Sequence, residues 1–391
     1  MSERAVVLID GEHYAPVVRD ALEALPYDVL GALLVGGTEK LRGGEDYGVP
    51  FVDDFGGAEI VVDLSDEPVL GPRERLRLAS RVLASGVPYV GADFRFDPPM
   101  FEPFPLPSLA VIGTGKRVGK TAVTGHVART LARDRDVIVV AMGRGGPAEP
   151  EVIEAQPTLD SLLALSRAGR HAASDHLETA ALAGVVTIGC RRAGGGLAGA
   201  VTDSNVSAGA RLAAEREPNV VVFDGSGAAI PPIAADRRIL VVGPGQDATE
   251  FLNPYRVLIS DLVLVLGAAP LEPIRALKSV PVIPFDLRLR PLEPLRGRRV
   301  AVFTAGPARI DHLDAEVVDM SANLANRARL RQDLARVDAD VYLVELKAAA
   351  IDVVAEVAAE RGVEVVLAAN DVVSDELDDE LQRLVPVPVN A

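Results

Sequence analysis

The 391-residue sequence predicts an α/β protein built on parallel sheets, and three observations lead there. Short runs of β-branched residues alternate with amphipathic helical stretches along most of the chain, the pattern of strands joined by crossovers. Those runs end repeatedly in glycine, at the carboxyl ends where open parallel sheets keep their ligand crevices. Apolar residues make up 49% of the chain and charged residues 25%, a globular composition with room for two or three domains.

The elements follow in order. Residues 5–9 read as a strand ending in Asp10-Gly11-Glu12-His13, residues 16–25 as an amphipathic helix, and residues 29–35 as a strand ending in Gly36-Gly37. Strands at 60–63 and 88–91 flank a helix at 73–85, which predicts a Rossmann-like α/β domain over residues 1–97. Five prolines between Pro98 and Pro107 can continue neither a helix nor a central strand, so residues 98–107 are a linker. A middle domain, residues 108–290, carries buried-strand runs at 109–112, 137–141, 220–223, 239–242 and 262–266. After the turn Arg290-Pro291-Leu292-Glu293-Pro294, a small C-terminal α/β unit spans 291–391, with strands at 300–304, 341–345 and 365–368 and helices at 324–337 and 349–361.

Charge and cysteine content narrow the function. Forty basic against 56 acidic residues, net −16, argue against a nucleic-acid or anionic-membrane surface, though not against a local basic pocket. The single Cys190 excludes an intrachain disulfide framework and any multi-cysteine metal site. No signal-peptide core precedes Asp10, and the longest apolar stretch, at 258–271, is interrupted by Asp261 and Gly267. The expectation is a cytoplasmic enzyme with small-molecule partners.

The sharpest motif is Leu109-Ala-Val-Ile-Gly-Thr-Gly-Lys-Arg-Val-Gly-Lys-Thr121. A buried strand runs into glycines, then into a helix whose apolar positions Val123, Val127 and Leu131 step by four. Backbone N–H groups of Gly113, Thr114, Gly115, Lys116, Arg117, Val118 and Gly119, with the helix N-terminus, suit a phosphate. Lys120 then reaches the β/γ phosphates of ATP and the Thr121 hydroxyl serves Mg²⁺. Lys120 is read as serving the nucleotide alone, so its loss leaves the fold intact. The strict pattern fails by one residue, because Thr114 stands where its first glycine belongs; the loop instead resembles that of dethiobiotin synthetase. Only five lysines occur among the 40 basic residues, and Lys116 and Lys120 both lie here.

The strand at 220–223 delivers Asp224 onto Gly225-Ser226-Gly227, a second Mg²⁺ ligand or a capping carboxylate. Two turns put arginine among glycines: Gly143-Arg144-Gly145-Gly146-Pro147-Ala148-Glu149, and Cys190-Arg191-Arg192-Ala193-Gly194-Gly195-Gly196. A guanidinium and backbone N–H groups can share one anion there, or the turns are solvated loops. Glu149 is a further metal ligand or a solvated acid. Asp175-His176-Leu177-Glu178 opens a helix, with His176 facing substrate or capping. His13 and Lys40 lie on the ligand rim of the N-terminal domain.

Together, Asp10 to Leu22, Gly36 to Leu41, the phosphate loop, Met142 to Glu151, Ser174 to Ala180 and Phe223 to Pro232 resemble the cyclic 2,3-diphosphoglycerate synthetases over about residues 5–310. The resemblance implies a P-loop NTPase-type core flanked by the N-terminal Rossmann-like domain and the small C-terminal α/β unit. It implies an ATP-dependent ligase that closes 2,3-diphosphoglycerate into a cyclic phosphoanhydride, releasing ADP and phosphate. Catalysis then falls to Lys120, Lys116, Arg144 and Asp224. The substrate falls to Arg144, Gly145, Gly146, His176, Arg191, Arg192, Gly225, Ser226, His13 and Lys40, and the metal to Thr121, Asp224 and Glu149. Mg²⁺, with K⁺ in addition, and a homodimer complete the expectation. The competing readings are a dethiobiotin- or cobyrinate-type ligase acting on a carboxylate, and a regulatory ATP switch.

Overall fold

The computed structural model describes residues 2–67, 69–158, 161, 164, 175–306, 308–346 and 351–385. The chain divides into two compact units, one made of Met1–Met100, Asp247–Ile259 and Glu272–Ser279, the other of the remaining chain.

In the first unit, strands β1 (Arg4–Ile9), β2 (Asp28–Leu34), β3 (Ile60–Asp63), β4 (Tyr89–Val90) and β5 (Arg95–Phe96) form a sheet in the order β2-β1-β3-β4-β5. All neighbours are parallel except β4 and β5. Helices α1 (Ala15–Ala24) and α2 (Pro72–Ala84) supply the crossovers, each started by a proline that fits the first helical turn. Val18 and Leu22, one helical turn apart, close the core over Val7 and Ile9. Residues 247–259 and 272–279, expected with the middle domain, cluster here instead, with the helix Asn253–Leu258 against α2.

The second unit holds a thirteen-stranded sheet. Its parallel core includes β7 (Ser108–Gly113), β8 (Val137–Gly143), β10 (Val186–Ala193), β12 (Val220–Asp224), β14 (Arg237–Val242), β15 (Leu262–Leu266) and β16 (Val282–Pro291), with β9 (Glu151–Ile153) and β11 (Asp203–Ser204) as short accessories; β6 (Glu102–Pro103) and β13 (Ile233–Ala234) pair with each other in a separate two-stranded sheet. The core order is β10-β8-β12-β7-β14-β15-β16. Every residue of β7, β8 and β12 is buried, which is why their sequences are unbroken apolar runs rather than alternating ones. Helix α3 (Lys120–Leu131) covers this core with Val123, Val127 and Leu131, all fully buried, and α4 (Asp175–Ala183) packs on α3 beside Gly125.

The C-terminal strands β17 (Arg299–Phe303), β18 (Glu316–Ser321), β19 (Val341–Glu345) and β20 (Glu364–Val373) do not form a separate sheet. Strand β16 runs across the expected boundary at residue 290 and pairs antiparallel with β20, from Asp286 opposite Val373 to Pro291 opposite Ala368. Parallel pairing of β20, β19, β17 and β18 then extends the same sheet.

Candidate nucleotide and anion site

Strand β7 is flanked by β12 and β14, while β8 and β10 lie beyond β12. The chain reverses its direction of winding at β7, so a crevice opens at the carboxyl ends of these strands. The phosphate loop, Asp224 and both arginine segments meet this rim.

The loop is pinned at three points. Thr114 N donates to Val241 O at 3.1 Å, continuing the ladder with β14, and Thr114 Oγ1 donates to Gln246 Oε1. Val118, the loop's one apolar residue, is buried against Gly113 and Gly243. Gly115, Lys116 and Arg117 are left toward solvent, Arg117 in the left-handed region at φ 59°. Gly119, at φ 87°, enters α3 with no side-chain cap, so the first N–H groups of the helix remain available to an anion.

Lys120 is buried at 8% exposure. Its Nζ donates to Asp224 Oδ1 at 3.1 Å and to Gly225 O. Thr124, one turn along α3 and fully buried, donates to the same carboxylate oxygen at 2.9 Å. Sequence reading missed Thr124; its spacing of four from Lys120 places both on one helix face, a signal visible once Asp224 is paired with the loop. Thr121 is buried beside Lys120. Asp224 and Thr121 offer hard oxygen donors, which fit Mg²⁺ completed by phosphate oxygens and water. Glu149 is exposed on the turn after β8, and among the described residues no group of three His, Cys, Asp or Glu is placed to hold a metal ion.

The arginines are placed differently from the expected pair of glycine turns. Arg191 and Arg192 close β10 itself, and successive strand residues face opposite sides. Arg192 turns inward at 9% exposure: its Nη2 donates to Ser226 O at 2.8 Å and to Ser226 Oγ at 3.3 Å, and Nη1 donates to Gly194 O. Arg191 is exposed on the other face, so it is not brought to the Arg192 cluster.

Gly227 shows where buried Arg192 meets the exposed side chains of Arg144 and Lys116. It sits at φ 61°, and a Cβ there would meet Arg144 Nη2 at 2.9 Å, Arg192 Nη2 at 3.7 Å and Lys116 Cγ at 3.7 Å. Its own carbonyl lies against Gly113, which also touches the Lys120 side chain. Arg144, Arg192, Lys116 and Lys120 therefore ring the Gly225-Ser226-Gly227 turn. Gly146 lies flat on β10, where a Cβ would come within 2.0 Å of Cys190 O, while Gly145 is exposed beside Arg144.

His176 is buried with its ring on Gly189 and Nε2 3.6 Å from Glu151 Oε2. His13 and Lys40 belong to the first unit. There, His13 Nδ1 is 2.7 Å from Asp10 Oδ1, and Lys40 is ion-paired with Glu12, which raises the Lys40 pKa above its ordinary value. Burial pushes the Asp10 carboxyl up, but hydrogen bonds from Asp66 N and His13 outweigh it and hold the group below the usual range.

Cys190, although next to two arginines in sequence, is fully buried beneath Gly209, and burial pushes its thiol up to about 12. We expect native protein at pH 8 to resist a disulfide-exchange reagent and to react fully after unfolding; rapid native labelling would show that the thiol is accessible.

Family models match three successive segments of the chain. The P-loop domain of cyclic 2,3-diphosphoglycerate synthetase matches residues 108–280, its N-terminal domain residues 4–56 and 54–97, and its C-terminal domain residues 291–371. Among curated relatives named cyclic 2,3-diphosphoglycerate synthetase, one from Rubrobacter xylanophilus is 50% identical, covering 97% of this chain and 97% of its own. One from Thermococcus kodakarensis is 43% identical over 94% of each chain. Another from Methanothermus fervidus is 37% identical over 100% of this chain and 98% of its own. With a relative this similar along nearly its whole length and family models matching three successive segments, the chain belongs to the cyclic 2,3-diphosphoglycerate synthetase family.

Proposed function

We propose that this protein uses ATP to join the two phosphates of 2,3-diphosphoglycerate into an intramolecular anhydride, releasing ADP and phosphate. The observation that carries the reading is the convergence of Arg144, Arg192 and Lys116 on Gly227, beside the Lys120–Asp224 pair. Two polyanions must share one rim, and two like unit charges about 4 Å apart repel by about 4 kcal/mol at an effective dielectric near 20. Buried Lys120 and Arg192, with exposed Arg144 and Lys116 at the same turn and an uncapped helix N-terminus beside them, offset that repulsion.

In the reaction, the γ-phosphoryl group passes from ATP to one phosphate of the acid, breaking the β–γ bridge and leaving ADP. An oxygen of the neighbouring phosphate then attacks the activated phosphorus, and inorganic phosphate departs as the ring closes. Lys120 holds the transferring phosphoryl oxygens, and Arg192 and Arg144 hold the two ester phosphates at attack distance. Little is asked of a protein nucleophile; positioning and charge neutralisation supply the acceleration. Bound Mg²⁺ supplies further neutralisation of phosphate charge, held by Asp224 and Thr121. Magnesium, the additional K⁺, a cytoplasmic setting and a homodimer belong to the same proposal and rest on the family resemblance; among the described residues no helix is long and apolar enough to cross a membrane.

Incubation with ATP, Mg²⁺ and 2,3-diphosphoglycerate is expected to convert the two phosphate-ester ³¹P signals into coupled anhydride doublets, with one ADP formed per ring. ADP release that is indifferent to the acid would reject this reading.

A further inference from the structure

The geometry points to Asn205 as the positioning residue that fixes the Arg144 turn against β10 and so sets affinity for the phosphorylated acid. This inference rests on the anion-site reading above.

Arg192 has its own anchors in Ser226 and Gly194. Arg144 is exposed, so its place beside Gly227 depends on the backbone of the turn that carries it. That turn, between β8 and β9, is held from outside by Asn205. The Asn205 amide donates to Pro147 O at 3.2 Å and to Ala148 O at 3.0 Å. Its Oδ1 accepts from Arg191 N at 2.6 Å, and its own N–H donates back to Arg191 O at 3.2 Å. One half-buried side chain therefore ties the Arg144 turn to the strand that carries Arg192. Gly146 completes the joint, because only a residue without Cβ lets the turn lie on Cys190 O. Asn205 itself is kept in place as the residue just before helix α5 (Val206–Ala214), where Ser204 Oγ accepts from Val206 N at 3.1 Å.

The amide is needed in both its roles. A carboxylate at 205 still accepts from Arg191 N but has no donor for Pro147 O and Ala148 O, and it repels both carbonyls. Losing the joint frees the turn, and binding must then order it again, which weakens the complex without removing a ligand contact.

The test uses titration calorimetry with 2,3-diphosphoglycerate and, separately, with a nonhydrolysable ATP analogue, on the full chain. Asn205→Ala is expected to weaken diphosphoglycerate binding about tenfold, equivalent to about 1.4 kcal/mol, with nucleotide affinity within twofold of wild type. Asn205→Asp is expected to weaken it at least as much. Amide hydrogen exchange is expected to speed up in a peptide covering 143–150 and to stay unchanged across 108–131. Equal loss of both ligands, or unchanged diphosphoglycerate affinity with unchanged exchange at 143–150, would overturn the inference. Failure of wild-type protein to bind diphosphoglycerate at all would instead reject the functional reading on which it stands.

Discussion

Lys120→Ala is expected to lower ATP-dependent turnover by at least about a thousandfold and also to destabilise the fold by about 3 kcal/mol. The first effect follows from removing the ammonium that faces the transferring phosphoryl group. The second comes from the tertiary arrangement. The Lys120 side chain is 9% exposed and that of Asp224 only 1%, with 3.1 Å between Nζ and Oδ1. Removing the ammonium takes the countercharge from a carboxylate with little access to water, and Thr124, which donates to the same oxygen, is neutral. The loop sequence led to the expectation that this variant keeps its fold; the buried ion pair predicts a loss of stability instead. Urea unfolding of three proteins separates the effects. Lys120→Ala is expected to show the lower midpoint, while Lys120→Ala/Asp224→Asn is expected to recover most of it without recovering turnover. If the single and double variants are equally unstable, the ion pair is not the cause of the loss. If Lys120→Ala turns over like wild type, the phosphate-loop assignment is wrong.

Arg192→Ala is expected to reduce kcat/KM for diphosphoglycerate by about 10²–10³, a transition-state loss of about 3–4 kcal/mol, while Arg191→Ala changes it by less than about threefold. The two residues are adjacent and chemically identical, so the contrast isolates geometry. Arg192 is buried, held by Ser226 and Gly194, and points where Arg144 and Lys116 arrive. Arg191 lies on the opposite face of β10 and its backbone serves Asn205. An exposed guanidinium facing away from the rim contributes only screened, long-range attraction. Initial rates at varied diphosphoglycerate and saturating ATP give both numbers, with the KM for ATP as the internal control. Comparable losses in the two variants would mean that both guanidinium groups reach the substrate and that the inward cluster is not the anion site.

How much of this was legible before any coordinates depends on the range of the forces involved. The strand–loop–helix run from Leu109 to Leu131 reads directly because every requirement in it is local: buried β-branched residues, a turn that needs glycine, and an apolar stripe at helical spacing. The strands Ile60–Asp63, Leu262–Leu266 and Val341–Glu345 were legible to the residue for the same reason. Sheet continuity was not. Nothing within residues 282–291 announces that the second half of β16 will accept β20 as an antiparallel neighbour. That pairing is settled by which faces the rest of the chain leaves uncovered, as is the clustering of residues 247–259 with the first unit.

At the candidate site the division is sharper. Sequence by itself determined the kinds of group available: a glycine loop with Lys120 and Thr121, a carboxylate at Asp224, and arginines among glycines. Only the tertiary structure decided which of them meet. A strand's alternation sends Arg192 to the rim and Arg191 away from it, and the turn of α3 lays Thr124 over the same oxygen that Lys120 holds. The physical reason is that bonding capacity belongs to the residue, whereas direction belongs to the backbone beneath it, and that backbone is set by contacts a hundred residues away.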